Sequence, residues 1–229
     1  MRIWLAAAIA MSALACGSPR ADDRDAAPAP APRAAAAAPA APAVANRPRV
    51  VALGDSLTAG LGLPSASAYP MLLEKRLNEA GMNFEVVNAG VSGDTSAGGL
   101  ERLDWALEGD VRALIVALGA NDGLRGLPVE QLQNNLAKII ERAQARHIPV
   151  VLAGMEAPPN FGEAYTVSFR QVYSDLAGRY HTAFLPFLLD RVAGVERLNQ
   201  GDGIHPTAEG ARLVADNVWT VLRPMLKGS

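Results

Sequence analysis

Residues 50–58 read Val-Val-Ala-Leu-Gly-Asp-Ser-Leu-Thr, and this stretch indicates the fold of the chain. Its first four residues are all apolar, which is typical of a strand buried on both faces of a sheet. The Gly-Asp-Ser turn that follows at 54–56 is where such a strand would leave the sheet. The first element is therefore predicted to be a central parallel strand.

Outward from this strand, short apolar runs alternate with longer helical patterns. The predicted strands are 50–53, 84–88, 113–118, 150–155 and 183–185. The predicted helices are 69–80, 96–107, 128–147, 165–180 and 207–226. This alternation predicts an α/β fold, a flavodoxin-like, doubly wound, five-stranded parallel sheet with helices on both faces.

Polar or small residues follow the ends of the first three predicted strands. Ser56, Gly93 and Asn121 each come a few residues after a strand ends. Ligands of doubly wound sheets bind outside the carboxyl ends of the strands. These three residues are therefore candidates for one shared site, although a serine after a strand also commonly caps a helix.

A base and a carboxylate stand close together near the end of the chain. Asp202 precedes His205 by three residues, and Pro206 restricts the histidine to an extended conformation. A serine hydroxyl becomes a nucleophile when a histidine takes its proton and a carboxylate orients that histidine. Ser56, His205 and Asp202 thus form a candidate nucleophile, base and orienting acid.

Four blocks of the sequence carry a family resemblance. They are Gly54-Asp55-Ser56-Leu57, Gly93 within 91–96, Gly119-Ala120-Asn121-Asp122 and Asp202-Gly203-Ile204-His205-Pro206. In this order they resemble the four invariant blocks of the SGNH (GDSL) hydrolases, over essentially all of residues 50–225. The chain looks most like the arylesterase, acyl-CoA thioesterase and lysophospholipase branch of that family.

The resemblance implies a role for each matching residue. Ser56 would be the nucleophile, His205 the general base and acid, and Asp202 the orienting carboxylate. The backbone N–H groups of Ser56 and Gly93 and the side-chain amide of Asn121 would form the oxyanion hole. No metal and no cofactor are expected.

The substrate is expected to be a small-molecule ester or thioester with an acyl chain. The loops 57–66, 123–128 and 155–164 are rich in apolar residues and poor in charge. We expect Leu57, Leu124, Leu127 and Pro158 to contact the acyl group. Two alternatives stay open: an envelope carbohydrate O-acetyl esterase of the same fold, and a catalytically inactive binding lipoprotein.

The start of the chain is predicted to be a targeting segment. Residues 1–16 resemble a secretory signal in which Cys16, the single cysteine of the chain, follows Ala-Leu-Ala and would be lipidated. Residues 17–46 are rich in Ala and Pro and predict a disordered tether to a domain at 47–229. We expect a lipid-anchored protein of the bacterial cell envelope that faces the periplasm; the alternative is a soluble periplasmic protein.

Charge limits the possible partners. The formal net charge is −2, and no cluster of Lys and Arg is present, which argues against nucleic acid. The membrane is expected to be contacted through the N-terminal lipid anchor. The protein is expected to be a monomer.

Overall fold

The computed structural model describes residues 47–227. The predicted leader, Cys16 and the tether lie outside the described residues. The described chain contains a parallel sheet of five strands in the order β2-β1-β3-β4-β5. The strands are β1 (Arg49–Gly54), β2 (Glu85–Gly90), β3 (Val111–Ala117), β4 (Val150–Ala153) and β5 (Ala183–Leu185). This is the predicted flavodoxin-like order, and the predicted fold class is confirmed.

Eight α-helices connect or follow these strands within residues 47–227. They are α1 (Ser56–Ala59), α2 (Tyr69–Glu79), α3 (Ser96–Glu101), α4 (Leu103–Ala106), α5 (Ala120–Leu124), α6 (Val129–Ala145), α7 (Glu163–Tyr180) and α8 (Ala208–Lys227). Helix α2 packs against α8, whereas α6 packs against α3 and α7. Right-handed crossovers place these two groups on opposite faces of the sheet.

The core lies between the sheet and these helices. Every residue from Val50 to Leu53 is fully buried, as expected for a strand covered on both faces. Helix α6 has an apolar stripe that is buried along its whole length, from Leu132 to Ala143. In α8 the buried face includes one polar residue, Asn217, whose amide donates to the carbonyls of Leu188 and Asp190. Hydrogen bonding offsets the cost of burying that amide.

The predicted helix 96–107 is wrong in one respect, because the chain forms two short helices with a break at Arg102. The guanidinium of Arg102 turns toward the sheet and donates to the carbonyls of Ala89 and Gly54, at 2.6 and 2.7 Å. It also pairs with Asp94 at 2.6 Å. Tertiary contacts of this side chain therefore outweigh the helical pattern of the segment.

Two very short helices, α1 and α5, are absent from the sequence prediction. Four or five residues are too few to show an apolar period. Helix α1 lies close against the end of β2: a Cβ on Gly90 would come within 2.2 Å of the backbone nitrogen of Ala59.

No helix of the described residues is long and apolar enough to cross a membrane.

Loss of the Arg102 guanidinium is expected to destabilise the fold strongly. Arg102→Met removes one donor from each of the Gly54 and Ala89 carbonyls, although Gly54 keeps the N–H of Val91, and it leaves the largely buried Asp94 carboxylate without its cation. These losses should lower the free energy of unfolding by about 3 kcal/mol. Arg112→Met is the control, because Arg112 pairs with Asp110 at an exposed position and should cost under about 1 kcal/mol. Urea unfolding followed by circular dichroism measures both. Equal losses in the two variants would contradict this account.

Candidate active site

The register of the sheet brings three of the predicted site residues to one edge. Gly54 at the end of β1 pairs with Gly90 of β2 on one side and Ala117 of β3 on the other. The chain reaches the predicted site residues two to four positions after these: Ser56, Gly93 and Asn121. The sheet order reverses between β1 and β3, so the site lies at the topological switch point of the fold.

Ser56, His205 and Asp202 form a continuous hydrogen-bonded chain. The Nε2 atom of His205 lies 2.8 Å from the hydroxyl oxygen of Ser56. The Nδ1 atom of the same ring lies 2.6 Å from an Asp202 carboxylate oxygen. Residues 149 positions apart in sequence thus meet with the geometry of a nucleophile, a base and an orienting acid.

The Asp202 carboxylate is held by hydrogen bonds from its own loop. Its Oδ1 atom accepts from the backbone N–H groups of His205 at 3.0 Å and of Ile204 at 2.9 Å. These backbone hydrogen bonds and the bond from the His205 ring hold the pKa of Asp202 well below its usual range. The group is therefore ionised at every pH at which a histidine titrates.

Asp55, the residue before the serine, is a buried carboxylate, whereas Asp202 is partly exposed. Asp55 is fully buried, and its Oδ1 atom accepts the N–H of Leu57 at 3.0 Å, which caps α1. Burial raises the pKa of Asp55 from 3.8 to about 6, and the hydrogen bond from Leu57 partly opposes that rise. Asp55 therefore holds the turn that leads into α1.

Gly93 lies in a tight turn after β2. The N–H of Asp94 donates to the carbonyl of Val91 at 3.1 Å, and Gly93 has a φ of +85°. A positive φ at the third position of a four-residue turn favours glycine, as in a type II turn. Within the described chain, no backbone carbonyl accepts the Gly93 N–H.

The segment from Asn121 to Arg125 holds this turn in place. The Asn121 amide nitrogen donates to the carbonyl of Asp94 at 2.9 Å and lies 3.4 Å from a carboxylate oxygen of Asp55. The Arg125 guanidinium donates to the carbonyl of Gly93 at 2.8 Å. One short stretch after β3 therefore fixes two consecutive carbonyls of the turn after β2.

Asp122 completes this attachment from a buried position. Its two carboxylate oxygens accept from the backbone N–H of Ser96 at 2.8 Å and from the Ser96 hydroxyl at 2.5 Å. Sequence reasoning did not find roles for Asp122, Arg102 and Arg125. The two arginines donate to backbone carbonyls and Asp122 accepts from a serine, and these partners are remote in sequence, so no local pattern indicates them.

A groove of about 390 Å³ adjoins the site. Three of the predicted substrate-contacting residues line it: Leu57, Leu124 and Pro158. Leu127 lies outside this lining, where its carbonyl accepts the hydroxyl of Tyr165. Met155, from the predicted loop 155–164, and Ile204, from the block that carries His205, also line the groove. Phe187 and Leu189 line it from a segment that the prediction did not use.

Ser56 also borders a much smaller recess of about 10 Å³, lined by Leu61, Leu63 and Tyr69 among others. That volume holds about one water-sized group. Leu57 and Leu189 line both spaces and stand between them. Only the larger groove has room for more than a methyl group.

Metal ligands are not clustered in the described part of the chain, where no group of three His, Cys, Asp or Glu side chains could hold an ion. The other two histidines, His147 and His181, lie at the ends of α6 and α7 with positive φ values of 58° and 52°. They serve as turn residues after their helices.

Comparison with known proteins agrees with the motifs and the geometry. A model of the GDSL-like lipase/acylhydrolase family matches residues 52–213. Esterase TesA of Pseudomonas aeruginosa is 45% identical over 178 residues, which cover 77% of this chain and 89% of that protein. An arylesterase of Vibrio mimicus is 36% identical over 171 residues, covering 74% of this chain and 86% of that protein.

Solved structures give the same result. A crystal structure of TesA aligns with a TM-score of 0.74 at 43% identity, covering 77% of this chain and 99% of that one. The psychrotrophic esterase EstA from Pseudoalteromonas sp. aligns with a TM-score of 0.74 at 31% identity, covering 78% of this chain and 98% of that one. The chain therefore belongs to the GDSL-like lipase/acylhydrolase family, and it is a carboxylic ester hydrolase. The resemblance drawn from the four sequence blocks is confirmed.

Proposed function

We propose that the protein hydrolyses esters or thioesters of acyl chains through an acyl-serine intermediate on Ser56. The observation that carries this proposal is the hydrogen-bonded chain from Asp202 through His205 to Ser56, with separations of 2.6 and 2.8 Å. All three groups come from one chain, so a monomer would suffice for the reaction.

In the acylation step, the Ser56 oxygen attacks the carbonyl carbon of the ester while His205 Nε2 takes the serine proton. Asp202 stays ionised, keeps the proton of the ring on Nδ1 and stabilises the imidazolium that forms. The tetrahedral intermediate then expels the alcohol or thiol, which takes its proton from His205. Acyl-Ser56 is left behind.

In the deacylation step, water replaces the leaving group. His205 takes a proton from the water as its oxygen attacks the acyl carbon, and the second tetrahedral intermediate collapses to release the carboxylic acid. The Ser56 oxygen regains its proton from His205. The protein returns to its starting state without a cofactor.

Three donors are proposed to stabilise the negative charge on the carbonyl oxygen. The Ser56 N–H lies in the first turn of α1, where backbone N–H groups have no partner within the helix. The Gly93 N–H is also free of backbone acceptors among the described residues. One N–H of the Asn121 amide is committed to Asp94, and the other has only the long 3.4 Å contact with Asp55. That second N–H is the one available to an oxyanion.

The acyl chain is proposed to lie in the 390 Å³ groove beside Leu57, Leu124 and Pro158. Apolar side chains dominate this lining, which favours a hydrocarbon chain over a sugar. The groove is also far larger than an acetyl group needs. Both facts favour an acyl ester hydrolase over a carbohydrate O-acetyl esterase.

The protein is further proposed to act in the bacterial cell envelope. The support is the sequence Ala13-Leu14-Ala15-Cys16, in which Cys16 would carry the lipid and residues 17–46 would link it to the domain. An oxygen ester suits this location better than acyl-CoA, which a secreted enzyme would rarely meet.

The mass of the mature N-terminus tests the location. A chain that begins at Cys16 and carries added acyl groups is expected from the membrane fraction of the producing bacterium. An unmodified chain cut at the same site would contradict the anchor and would indicate the soluble periplasmic form. A Cys16→Ser variant serves as the control for lipidation.

Replacement of the nucleophile tests the mechanism. Ser56→Ala should lower kcat for nitrophenyl esters by at least about 10⁴-fold, because no other described group is placed to form the acyl intermediate. A fluorophosphonate probe should label the wild-type chain and not this variant; the similar esterase EstA has been crystallised as inhibited by monoethylphosphonate. Ser65→Ala is the control and should retain activity, because Ser65 is an exposed serine in the short turn at 65–67 that precedes α2. Full turnover by Ser56→Ala would overturn the proposal.

A bulky residue in the groove tests where the acyl chain binds. Ala193 is exposed and lines the groove, so Ala193→Phe should fill part of it without disturbing the core. We expect KM to rise about tenfold for nitrophenyl decanoate and to change under about twofold for the acetate. Ala145→Phe, on an exposed position at the end of α6, should change neither. Equal effects of Ala193→Phe on the two esters would indicate that the acyl chain binds outside this groove. Wild-type activity confined to the acetate would favour the carbohydrate O-acetyl esterase.

A further inference from the structure

Gln200 bridges the two loops that carry the reacting side chains. We call residues 56–63 the nucleophile loop and residues 199–206 the histidine loop. The side-chain amide nitrogen of Gln200 donates to the carbonyl of Leu61 in the nucleophile loop at 2.7 Å. Its other N–H donates to the carbonyl of Pro206 at 2.9 Å. Both donors of this amide are thus used, one within each loop.

The backbone of Gln200 joins the same network. Its N–H donates to the carbonyl of His205 at 2.7 Å, and the N–H of Leu61 donates to the carbonyl of Ser56 at 3.1 Å. Together with the contact from His205 Nε2 to the Ser56 hydroxyl at 2.8 Å, these bonds close a ring. The ring runs from Ser56 through Leu61 and Gln200 to His205 and back to Ser56.

The two loops have few other polar connections. Among the described residues, two hydrogen bonds join them: the one from Gln200 to Leu61 and the one between His205 and Ser56. The second is the bond that the reaction must break and remake. The first is therefore the polar contact that remains to hold the loops together during turnover.

The nucleophile loop comes very close to the Gln200 side chain. A Cβ on Gly62 would lie 2.2 Å from the Gln200 amide oxygen. Such a distance is far below van der Waals contact, so any side chain at 62 would push the carboxamide away. The Gln200 amide is thus held in position by its two hydrogen bonds and by close packing against the backbone at Gly62.

We propose that Gln200 is a positioning residue for the reaction, which sets the separation of the Ser56 hydroxyl and the His205 ring by tying their loops together. The inference rests on the proposed function of Ser56 and His205. Ser56 and His205 lie on loops 149 residues apart in sequence, and displacement of a reacting group by 1 Å can cost about 10²-fold in rate. Gln200 is not among the residues that line the 390 Å³ groove, so it would act through these two residues and not by contact with the substrate.

Two substitutions at Gln200 remove the bridge in different ways. Gln200→Leu keeps the approximate size and loses both donors. Gln200→Glu keeps the shape and places carboxylate oxygens against the Leu61 and Pro206 carbonyls, which repel them. In the full-length chain we expect both to lower kcat and the rate of fluorophosphonate labelling about 10- to 100-fold. KM should change by under about threefold, because the groove is intact.

The matched control is Gln144, whose amide also donates to a backbone carbonyl of another element, that of Tyr180 at 2.8 Å. This contact lies away from the site, on α6. Gln144→Leu and Gln144→Glu should shift Tm by amounts similar to those of the Gln200 variants and leave kcat and labelling unchanged. A purely structural role for Gln200 predicts instead that both pairs of variants alter Tm and neither alters labelling.

A second approach disturbs the bridge from the nucleophile loop. Gly62→Ala should displace the Gln200 carboxamide and slow labelling to a degree similar to Gln200→Leu. Gly81→Ala is its control, because Gly81 has a comparable φ of +74° against +79° and nothing within 4 Å of an added Cβ. It should impose similar backbone strain and leave labelling unchanged. This pair keeps the test open if the Gln200 variants do not fold.

The outcomes separate the inference from the proposed function. Labelling of the wild type at Ser56 tests the proposed function alone, and the ratio of variant to wild-type labelling rates tests Gln200. Rates within about twofold of wild type in Gln200→Leu, Gln200→Glu and Gly62→Ala would overturn the inference. A rise in KM with unchanged kcat would also overturn it, since that would indicate contact with the substrate.

Discussion

The arrangement of this active site depends on how the carboxyl ends of two neighbouring strands are satisfied. Parallel strands end in carbonyl groups, and buried carbonyls without donors are costly. The guanidinium of Arg102 donates to the carbonyl of Gly54 in β1, which also accepts the Val91 N–H, and to the carbonyl of Ala89 in β2. Its charge is balanced by Asp94 in the turn that carries Gly93. One largely buried cation therefore joins two strand ends to the turn after β2, and the position of that turn relative to Ser56 follows from this contact.

The segments of the site are short and are held mainly by side-chain bonds to backbone groups. Asp55 caps the four-residue helix that begins with Ser56, and Asn121 with Arg125 holds consecutive carbonyls of the turn at Gly93. Such side-chain bonds add to the few backbone hydrogen bonds that these short segments make. The histidine loop is attached to this assembly through Gln200. Asp202, His205 and Ser56 are thus held partly by groups within their own loops, whereas the turn at Gly93 and the connection between the two loops depend on side chains from other parts of the chain.

Two carboxylates near the same serine have opposite electrostatic settings. Asp202 is partly exposed, accepts two backbone N–H groups, and has a pKa well below its usual range. Asp55 is buried, and burial raises its pKa to about 6. The exposed carboxylate therefore stays charged beside the histidine and can stabilise an imidazolium. The buried one has a structural role in capping α1 and supporting the Asn121 amide. Solvation and hydrogen bonding, rather than residue type, separate the two roles.

The sequence by itself determined the alternation of strands and helices, the order of the sheet and the residues at its carboxyl edge, because burial imposes a periodicity that can be read along the chain. It also indicated Ser56, Asp202 and His205, since the aspartate and the histidine are local neighbours and each block has a distinctive turn. Only the tertiary structure decided the helix break at Arg102 and the bonds by which Asp122 and Arg125 hold the segment after β2. The same is true of the groove lining at Phe187 and Leu189 and of the bridge at Gln200. The polar side chains in these cases bond to groups that are remote in sequence. The apolar ones line a groove together with residues from other parts of the chain. Such contacts have no period and no fixed spacing, so they exist as a pattern only after the chain has folded.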